Sequence, residues 1–283
     1  MNEISEVSVR PFYIQGSAGK LFALLHGARN IIKTHRYIVC FPPFAEESNK
    51  SRKMINLQAR EFAKNGYDVL IVDYFGTGDS EGDFSEATWD IWKRDFSVIA
   101  GWLEQQQARQ IILWGLRFGA LMALQAMDSY GSNLRQLLFW QPILSGDQML
   151  SQFLRLRLAA DMLTSGNKMT VKEMKEILSN GNSVEVAGYS LNSELYKGIE
   201  GLNIKHLIND LTIPVTWFEV VNADRQEFNP ATRKVFDGWP ESSPLSTYLA
   251  VGEAFWTTPE IAIVQDLIEK TNNGLEDFAF GRG

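Results

Sequence analysis

Short, almost continuous apolar runs alternate along the chain with longer segments whose apolar residues recur at the spacing of a helix. Runs such as VLIVD and IILWG have no polar face, which is typical of strands buried on both faces of a parallel sheet. The apolar runs predict eight strands, at residues 7–14, 21–25, 37–41, 69–73, 111–114, 136–140, 215–221 and 248–251. The helical spacing predicts helices at roughly 50–65, 88–107, 118–129, 229–238 and 258–270.

This alternation predicts an α/β fold with a mostly parallel eight-stranded sheet, helices on both faces, and an antiparallel hairpin at residues 7–27. Residues from about 145 to 210 break the alternation, since they hold several helical patterns and one short apolar run, VEVAGY. Ligands of such sheets bind at the carboxyl ends of the strands, so we expect an insertion there to cap the site. The predicted division is a core of residues 1–144 and 211–283 with a cap at 145–210. The alternative is a second helical layer with no role in ligand binding.

Composition narrows the class of protein. The chain is 45% hydrophobic and 22% charged, which is typical of a folded globular protein. A net charge of −7 without a Lys/Arg-rich run argues against a nucleic-acid partner. The single cysteine, Cys40, excludes an intrachain disulfide and a cysteine-based metal site, and we expect neither metal nor cofactor. The acidic start and the lack of a long apolar segment predict a cytoplasmic protein without membrane insertion.

The segment Leu113-Trp114-Gly115-Leu116-Arg117-Phe118-Gly119-Ala120 leaves a predicted strand and enters a predicted helix. This is the context of the G-x-S-x-G nucleophile elbow, in which glycines let strand and helix approach around one strained residue. Here that residue is Arg117. An arginine is always protonated and cannot act as the nucleophile that serine or cysteine provides.

Two further loops follow predicted strands at the same edge of the sheet. The loop that begins at Asp73 reads DYFGTGDSEG, similar to the D-x-x-G-x-G-x-S-x-G loop of α/β hydrolases, although such residues are also ordinary turn formers. The loop after the strand at 37–41 reads PPFAEESNKSR and lies where this fold places a backbone N–H of the oxyanion hole. Phe44 in that loop and Phe118 after the elbow are therefore candidate oxyanion-type residues.

With these three segments in order, the chain resembles the α/β-hydrolase superfamily over nearly its whole length. Five segments carry a closer likeness: PPFAEESNKSRKM, DYFGTGDSEGDF, WGLRFGA, EVAGYSL and GEAFWTTPEI. In these segments the chain is similar to the exosortase A system-associated hydrolases, particularly the second type. The resemblance implies the fold, hydrolysis of an ester or thioester, and a bacterial exopolysaccharide or protein-sorting setting. It implies no particular substrate.

In this fold the nucleophile is followed along the chain by an acid and then by a histidine. Asp224, after the strand at 215–221, takes the position of the acid. The loop after the last strand should hold the histidine, but it reads GEAFWT, and no histidine follows His206. We therefore predict that Ser-His-Asp catalysis is absent. Phe255 and Trp256 fill the volume of the missing imidazole or form an aromatic wall for a ligand.

Arg117 needs a negative partner, because the start of the following helix carries about half a positive charge. The partner is either a carboxylate of this chain, with Glu46, Glu47, Asp224 and Glu253 as candidates, or an anionic ligand.

We expect a hydrolase-family protein with a non-serine site, in which a carboxylate such as Glu46, Glu47 or Asp224 activates water. Two alternatives stay open: an inactive relative that binds a small anionic or acyl ligand, and a partner-binding protein of the same system.

Overall fold

In the computed structural model the described residues are 7–28, 35–163 and 169–279. Within these ranges no helix has the length and apolar character needed to cross a membrane. The strands are β1 Ser8–Gln15, β2 Lys20–Gly27, β3 Arg36–Phe41, β4 Asp68–Val72, β5 Gln110–Leu116, β6 Leu134–Trp140, β7 Val184–Val186, β8 Tyr189–Leu191, β9 Val215–Val221 and β10 Leu245–Val251. The helices are α1 Glu46–Lys64, α2 Trp89–Gln105, α3 Gly119–Ala126, α4 Gly146–Leu163, α5 Val171–Ser179, α6 Ser193–Glu200, α7 Ile204–Leu207, α8 Pro230–Phe236 and α9 Gln265–Ala279.

Eight of these strands form one sheet in the order β1-β2-β4-β3-β5-β6-β9-β10. The pairs β1–β2 and β2–β4 are antiparallel, and every pair from β4 to β10 is parallel. The predicted α/β fold is therefore confirmed. In the parallel part, the carboxyl ends of β3, β5 and β6 lie side by side, which brings the loops after them to one edge of the sheet.

The buried core lies on both faces of the sheet. Ile38 and Cys40 of β3 pack with α1 and α9, whereas Val39 and Phe41 pack on the opposite face with α2 and α3. Successive side chains of a strand point to opposite faces, so a strand covered on both faces must be apolar throughout. Burial raises the pKa of the Cys40 thiol well above its usual value, as expected for a structural cysteine.

The last predicted helix is misplaced along the chain. The sequence pattern predicts a helix at 258–270, but α9 spans Gln265–Ala279. Ile261 and Ile263 contributed to that pattern, yet they are 72% and 53% exposed in the loop that precedes the helix. The true buried face of α9 begins with Leu267 and Ile268, so apolar residues of the loop were mistaken for a helix face.

The segment between β6 and β9 contributes no described residue to the eight-stranded sheet. It contains α4 to α7 and the two-stranded hairpin of β7 and β8. Asn192 links this segment to the core: the Asn192 side-chain amide donates to the carbonyl oxygens of Ser85 (2.8 Å) and Ala87 (2.7 Å). Phe153 of α4 packs against Phe44, with ring centroids 5.2 Å apart. This part of the segment thus lies against the loop that follows β3.

His26 in β2 should make stability depend on pH near neutrality. The side chain is 1% exposed, and burial lowers its pKa from 6.5, although a hydrogen bond with Asn56 opposes that shift. Below pH 6.5 the unfolded chain then binds more protons than the folded protein, so the free energy of unfolding falls as pH falls, by up to about 1.4 kcal/mol per pH unit. We expect His26→Gln to remove this component, measured by urea unfolding at pH 7 and 5.5. The exposed His206 offers the matched control: an equal change in His206→Gln would contradict the assignment.

Candidate functional site

Arg117 occupies the turn between β5 and α3, in a left-handed backbone conformation with φ of 57°. Non-glycine residues adopt this conformation at a cost, and they do so mostly where the surrounding structure enforces it. Here the Arg117 N–H donates to the carbonyl of Trp140 (2.9 Å), and its own carbonyl accepts from the N–H groups of Ala120 (3.1 Å) and Ile143 (3.2 Å). The backbone is therefore held on both sides of the turn.

The glycines on either side of Arg117 permit the close approach of strand and helix. A Cβ on Gly119 would lie 1.9 Å from the carbonyl oxygen of Phe41, and one on Gly115 would lie 2.5 Å from Cα of Ala120. Neither position tolerates a side chain. The turn thus has the construction of a nucleophile elbow, with an arginine at its centre.

Arg117 is 8% exposed, and its guanidinium has a carboxylate partner, Glu47. Nη2 lies 3.0 Å from Oε1 of Glu47, and Nε lies 3.2 Å from Oε2. Nη2 also donates to Oε1 of Gln152 at 2.9 Å, and the ring of Trp256 stacks below, 5.0 Å from Cζ. The predicted ion pair is present, with an internal carboxylate as the partner.

Helix phase selects Glu47 over its neighbour Glu46. Ser51, Met54, Ile55 and Gln58 form the buried face of α1, and Glu47 precedes them by four, seven, eight and eleven residues. It therefore projects inward, in the first turn of the helix, where the helix dipole favours a negative charge. Glu46 is rotated away from Arg117, and among the described residues its carboxylate accepts a single long hydrogen bond, from Asn49 (3.4 Å).

Aromatic side chains follow β10, where the fold would place a catalytic histidine. Phe255 is fully buried, with its ring 6.3 Å from that of Trp140 and 5.0 Å from that of Trp256. Of the two residues, only Trp256 contacts the arginine, with its ring 5.0 Å from Cζ. Phe255 belongs to the core, so the prediction of an aromatic wall fits Trp256 alone.

Three other predicted residues are not brought to the elbow in the expected way. Asp224 is exposed in the loop after β9 and forms no ion pair with any described residue. Glu253 is likewise exposed. The side chain of Phe118 is fully buried against Phe44 and Trp89, with centroids 5.8 and 6.1 Å away, so it packs the core rather than a ligand pocket.

In the described part of the chain, the backbone N–H groups of Phe44 and Phe118 are free to act as the predicted oxyanion-hole donors. Within the described ranges, neither residue's N–H donates a hydrogen bond. One follows β3 and the other follows Arg117, the two positions from which α/β hydrolases supply oxyanion-hole donors.

A pocket of about 200 Å³ lies between α1, α4 and the loop after β10. Its walls are mostly apolar, and its polar groups come chiefly from the start of α1 and the middle of α4. The apolar residues are Phe44, Met149, Phe153, Leu156 and Trp256, and the polar ones are Glu46, Glu47, Lys50, Gln152 and Thr257. Sequence reasoning missed Gln152 and Lys50; their signal lies in the helical spacing of Gln152 from Met149 and of Lys50 from Glu46.

In the loop at Asp73, the carboxylate makes contacts within the turn and with α1. Asp73 accepts from the N–H of Asp79 (3.0 Å) and pairs with Arg52 (3.3 Å). A Cβ on Gly78 would lie 1.9 Å from Oδ2 of Asp73, so this carboxylate closes the turn. Among the residues that the structure describes, no group of three His, Cys, Asp or Glu side chains could hold a metal ion.

The fold and the glycine-flanked elbow define this chain as an α/β hydrolase. It belongs to the family described as serine aminopeptidase, S33, whose sequence model matches residues 33–192, more than half of the chain. The family description names a serine, whereas the elbow residue here is Arg117. No curated protein matches the chain significantly in sequence.

Solved structures share the fold at low sequence identity. Est1E from Butyrivibrio proteoclasticus has a TM-score of 0.66 at 14% identity, covering 95% of this chain and 98% of that one, and it has also been solved with ferulic acid bound. An esterase of Pyrococcus furiosus has a TM-score of 0.61 at 14% identity, with 96% and 90% covered. A serine hydrolase without lid from Xanthomonas campestris has a TM-score of 0.57 at 13% identity, with 98% of each chain covered. These likenesses establish the fold alone.

Proposed function

We propose that this chain has the α/β-hydrolase fold and a non-serine site but does not hydrolyse its ligand. Instead, it binds a small acyl compound in the pocket between α1 and α4. The observation that carries the proposal is the state of Arg117. It stands at the nucleophile position, paired with Glu47, bonded to Gln152 and covered by Trp256. A guanidinium cannot attack an acyl carbon, and Nε and Nη2 of this one already donate to Glu47 and Gln152.

The size and lining of the pocket support an acyl ligand. Its volume of about 200 Å³ is below the roughly 300–1,000 Å³ of sites for drug-sized molecules, so the ligand is small. Apolar side chains surround a few polar groups, which suits a short aliphatic or aromatic acyl group with one polar end. Ferulic acid, the compound bound to the structurally similar Est1E, is an aromatic acid of this general kind.

Hydrolysis is the second candidate, and the position of Glu47 favours it. The Glu47 carboxylate lines the pocket, and the N–H groups of Phe44 and Phe118 are free within the described residues. Glu47 would accept a proton from water as the water oxygen bonds to the acyl carbon. The free N–H groups would stabilise the oxyanion, and the ester or thioester bond would break with its leaving group taking up a proton.

We expect the protein to bind short acyl compounds, measured by calorimetry, and to turn over none of a panel of acyl esters and thioesters. Intact mass should stay unchanged after treatment with a fluorophosphonate, because position 117 carries neither hydroxyl nor thiol. A stoichiometric adduct that disappears on replacing Ser48, Ser51 or Ser80 would show that a serine acts after all.

Turnover abolished by Glu47→Gln would instead favour the hydrolase. The matched control is Glu61→Gln, which makes the same change on the same helix at an exposed ion pair with Lys64. Equal loss in both variants would indicate general damage rather than a role for Glu47.

The wider setting is part of the same proposal. The motifs PPFAEESNKSRKM and GEAFWTTPEI support a link to an exosortase or exopolysaccharide system, and a cytoplasmic location is proposed with it. Met149, Gln152 and Phe153 of α4 line the pocket, which supports a capping role for residues 145–210 on a core of 1–144 and 211–283. Two results would support this link: the gene for this chain lies beside that of an exosortase, and deleting the gene for this chain abolishes export of the polymer.

A further inference from the structure

The orientation of the Gln152 side-chain amide is fixed by its neighbour. Oε1 of Gln152 accepts a hydrogen bond from Nη2 of Arg117 at 2.9 Å. An arginine can only donate, so the amide oxygen must face the guanidinium and the NH₂ group must point elsewhere. Nε2 of Gln152 forms no hydrogen bond with any described residue, and Gln152 lines the pocket. The NH₂ group therefore keeps two unused N–H donors on a side chain that lines the pocket, and the contact with Arg117 fixes which end of the amide carries them.

Lys50 supplies the cation of the same pocket. It stands four residues after Glu46 on α1, a spacing at which acid and amine usually pair, but these two form no ion pair. Nζ of Lys50 instead donates to the carbonyl oxygen of Thr257 at 3.2 Å. Among the described residues no carboxylate pairs with Lys50, and the half-buried ammonium retains donors for a ligand.

We infer that the pocket binds a short-chain carboxylate, with its oxygens on Nε2 of Gln152 and Nζ of Lys50 and its chain against Met149, Phe153 and Trp256. This inference rests on the proposed acyl-binding function and names the polar end of the ligand. Of the two acids on the pocket wall, Glu47 is neutralised by Arg117. Glu46 opposes a carboxylate, so Glu46→Gln should strengthen binding several-fold.

Gln152→Glu is the most informative variant. A glutamate keeps an oxygen acceptor for Arg117 and nearly the same shape, but it replaces the two pocket-facing N–H donors with a charged acceptor. We expect hexanoate to bind at least about tenfold more weakly, as for the loss of a hydrogen bond to a charged group. Lys50→Met should weaken binding about three- to tenfold, because its ammonium is only half buried. Calorimetry with butyrate, hexanoate and octanoate measures both effects.

Two controls separate the site from general charge effects. Gln148→Glu is the control for Gln152→Glu, at an exposed position of α4 outside the pocket. Lys53→Met is the control for Lys50→Met, at an exposed position of α1 outside the pocket. Both should leave hexanoate affinity unchanged. Should Gln152→Glu fail to fold, Gln152→Met and Lys50→Met test the same contacts.

Hexanamide and hexanol distinguish this inference from the proposed function. Selective binding of hexanoate, weakened by Gln152→Glu and Lys50→Met but not by Gln148→Glu or Lys53→Met, is the expected result. If the neutral compounds bind as tightly as hexanoate and Gln152→Glu changes nothing, the carboxylate assignment is wrong while acyl binding stands. If none of the compounds binds, the proposed function fails together with the inference.

Discussion

Replacing Arg117 with methionine should lower the free energy of unfolding by about 3 kcal/mol, the lower end of the cost of breaking a buried ion pair from one side. Arg117 and Glu47 have side chains that are only 9% and 20% exposed, and methionine fills much of the same volume without the charge. The substitution leaves the Glu47 carboxylate without its counter-charge and Oε1 of Gln152 without its donor. The partial exposure of Glu47 keeps the expected cost from being larger.

A second substitution should recover most of this loss. In Arg117→Met with Glu47→Gln, both charges are gone, and replacing a whole buried pair is often nearly neutral. Urea unfolding of the wild type, both single variants and the double variant gives the coupling energy between the two positions. Lys93→Met, which removes an exposed ion pair with Asp90, is the control and should leave the midpoint nearly unchanged. Additive effects at positions 117 and 47 would contradict a direct ion pair between Arg117 and Glu47.

The parallel strands could be predicted because burial on both faces of the sheet requires an almost continuous apolar run in each strand. Residues 111–114 and 215–221 are predicted within β5 and β9, and the observed strands extend them by at most two residues at either end. The first and last residues of the helices were harder to predict, because loop residues beside a helix can continue its apolar spacing. The helix predicted at 50–65 begins at Glu46, and this early start is what brings Glu47 into the site.

The site itself was predictable only in part. Flanking glycines and the strand-to-helix context located Arg117, and elementary electrostatics required a counter-charge for it. Choosing among Glu46, Glu47, Asp224 and Glu253 required distances between loops that are remote in sequence. The phase of α1 favours Glu47 over Glu46 once the helix start is known. Gln152 was marked only by its helical spacing from Met149, because a neutral side chain on a helix does not require a charged partner.

Replacing Gly119 with alanine should destabilise the protein by about 3 kcal/mol or more, at the upper end of the cost of overpacking. Its Cβ would lie 1.9 Å from the carbonyl oxygen of Phe41 and 2.9 Å from that of Pro42. Both contacts are with backbone, so no side chain can rotate away, and α3 must move from the end of β3. The same movement would shift Arg117, two residues before Gly119, relative to Glu47 of α1.

Gly101 provides the matched substitution. It lies inside α2, and a Cβ there would meet nothing within 4 Å, so Gly101→Ala should stabilise the protein by about 0.5–1 kcal/mol through helix propensity alone. The two alanines differ only in what surrounds them, and urea unfolding should move their midpoints in opposite directions. If Gly119→Ala unfolds at the wild-type midpoint, strand and helix are not as close at the elbow as the Gly119–Phe41 contact requires.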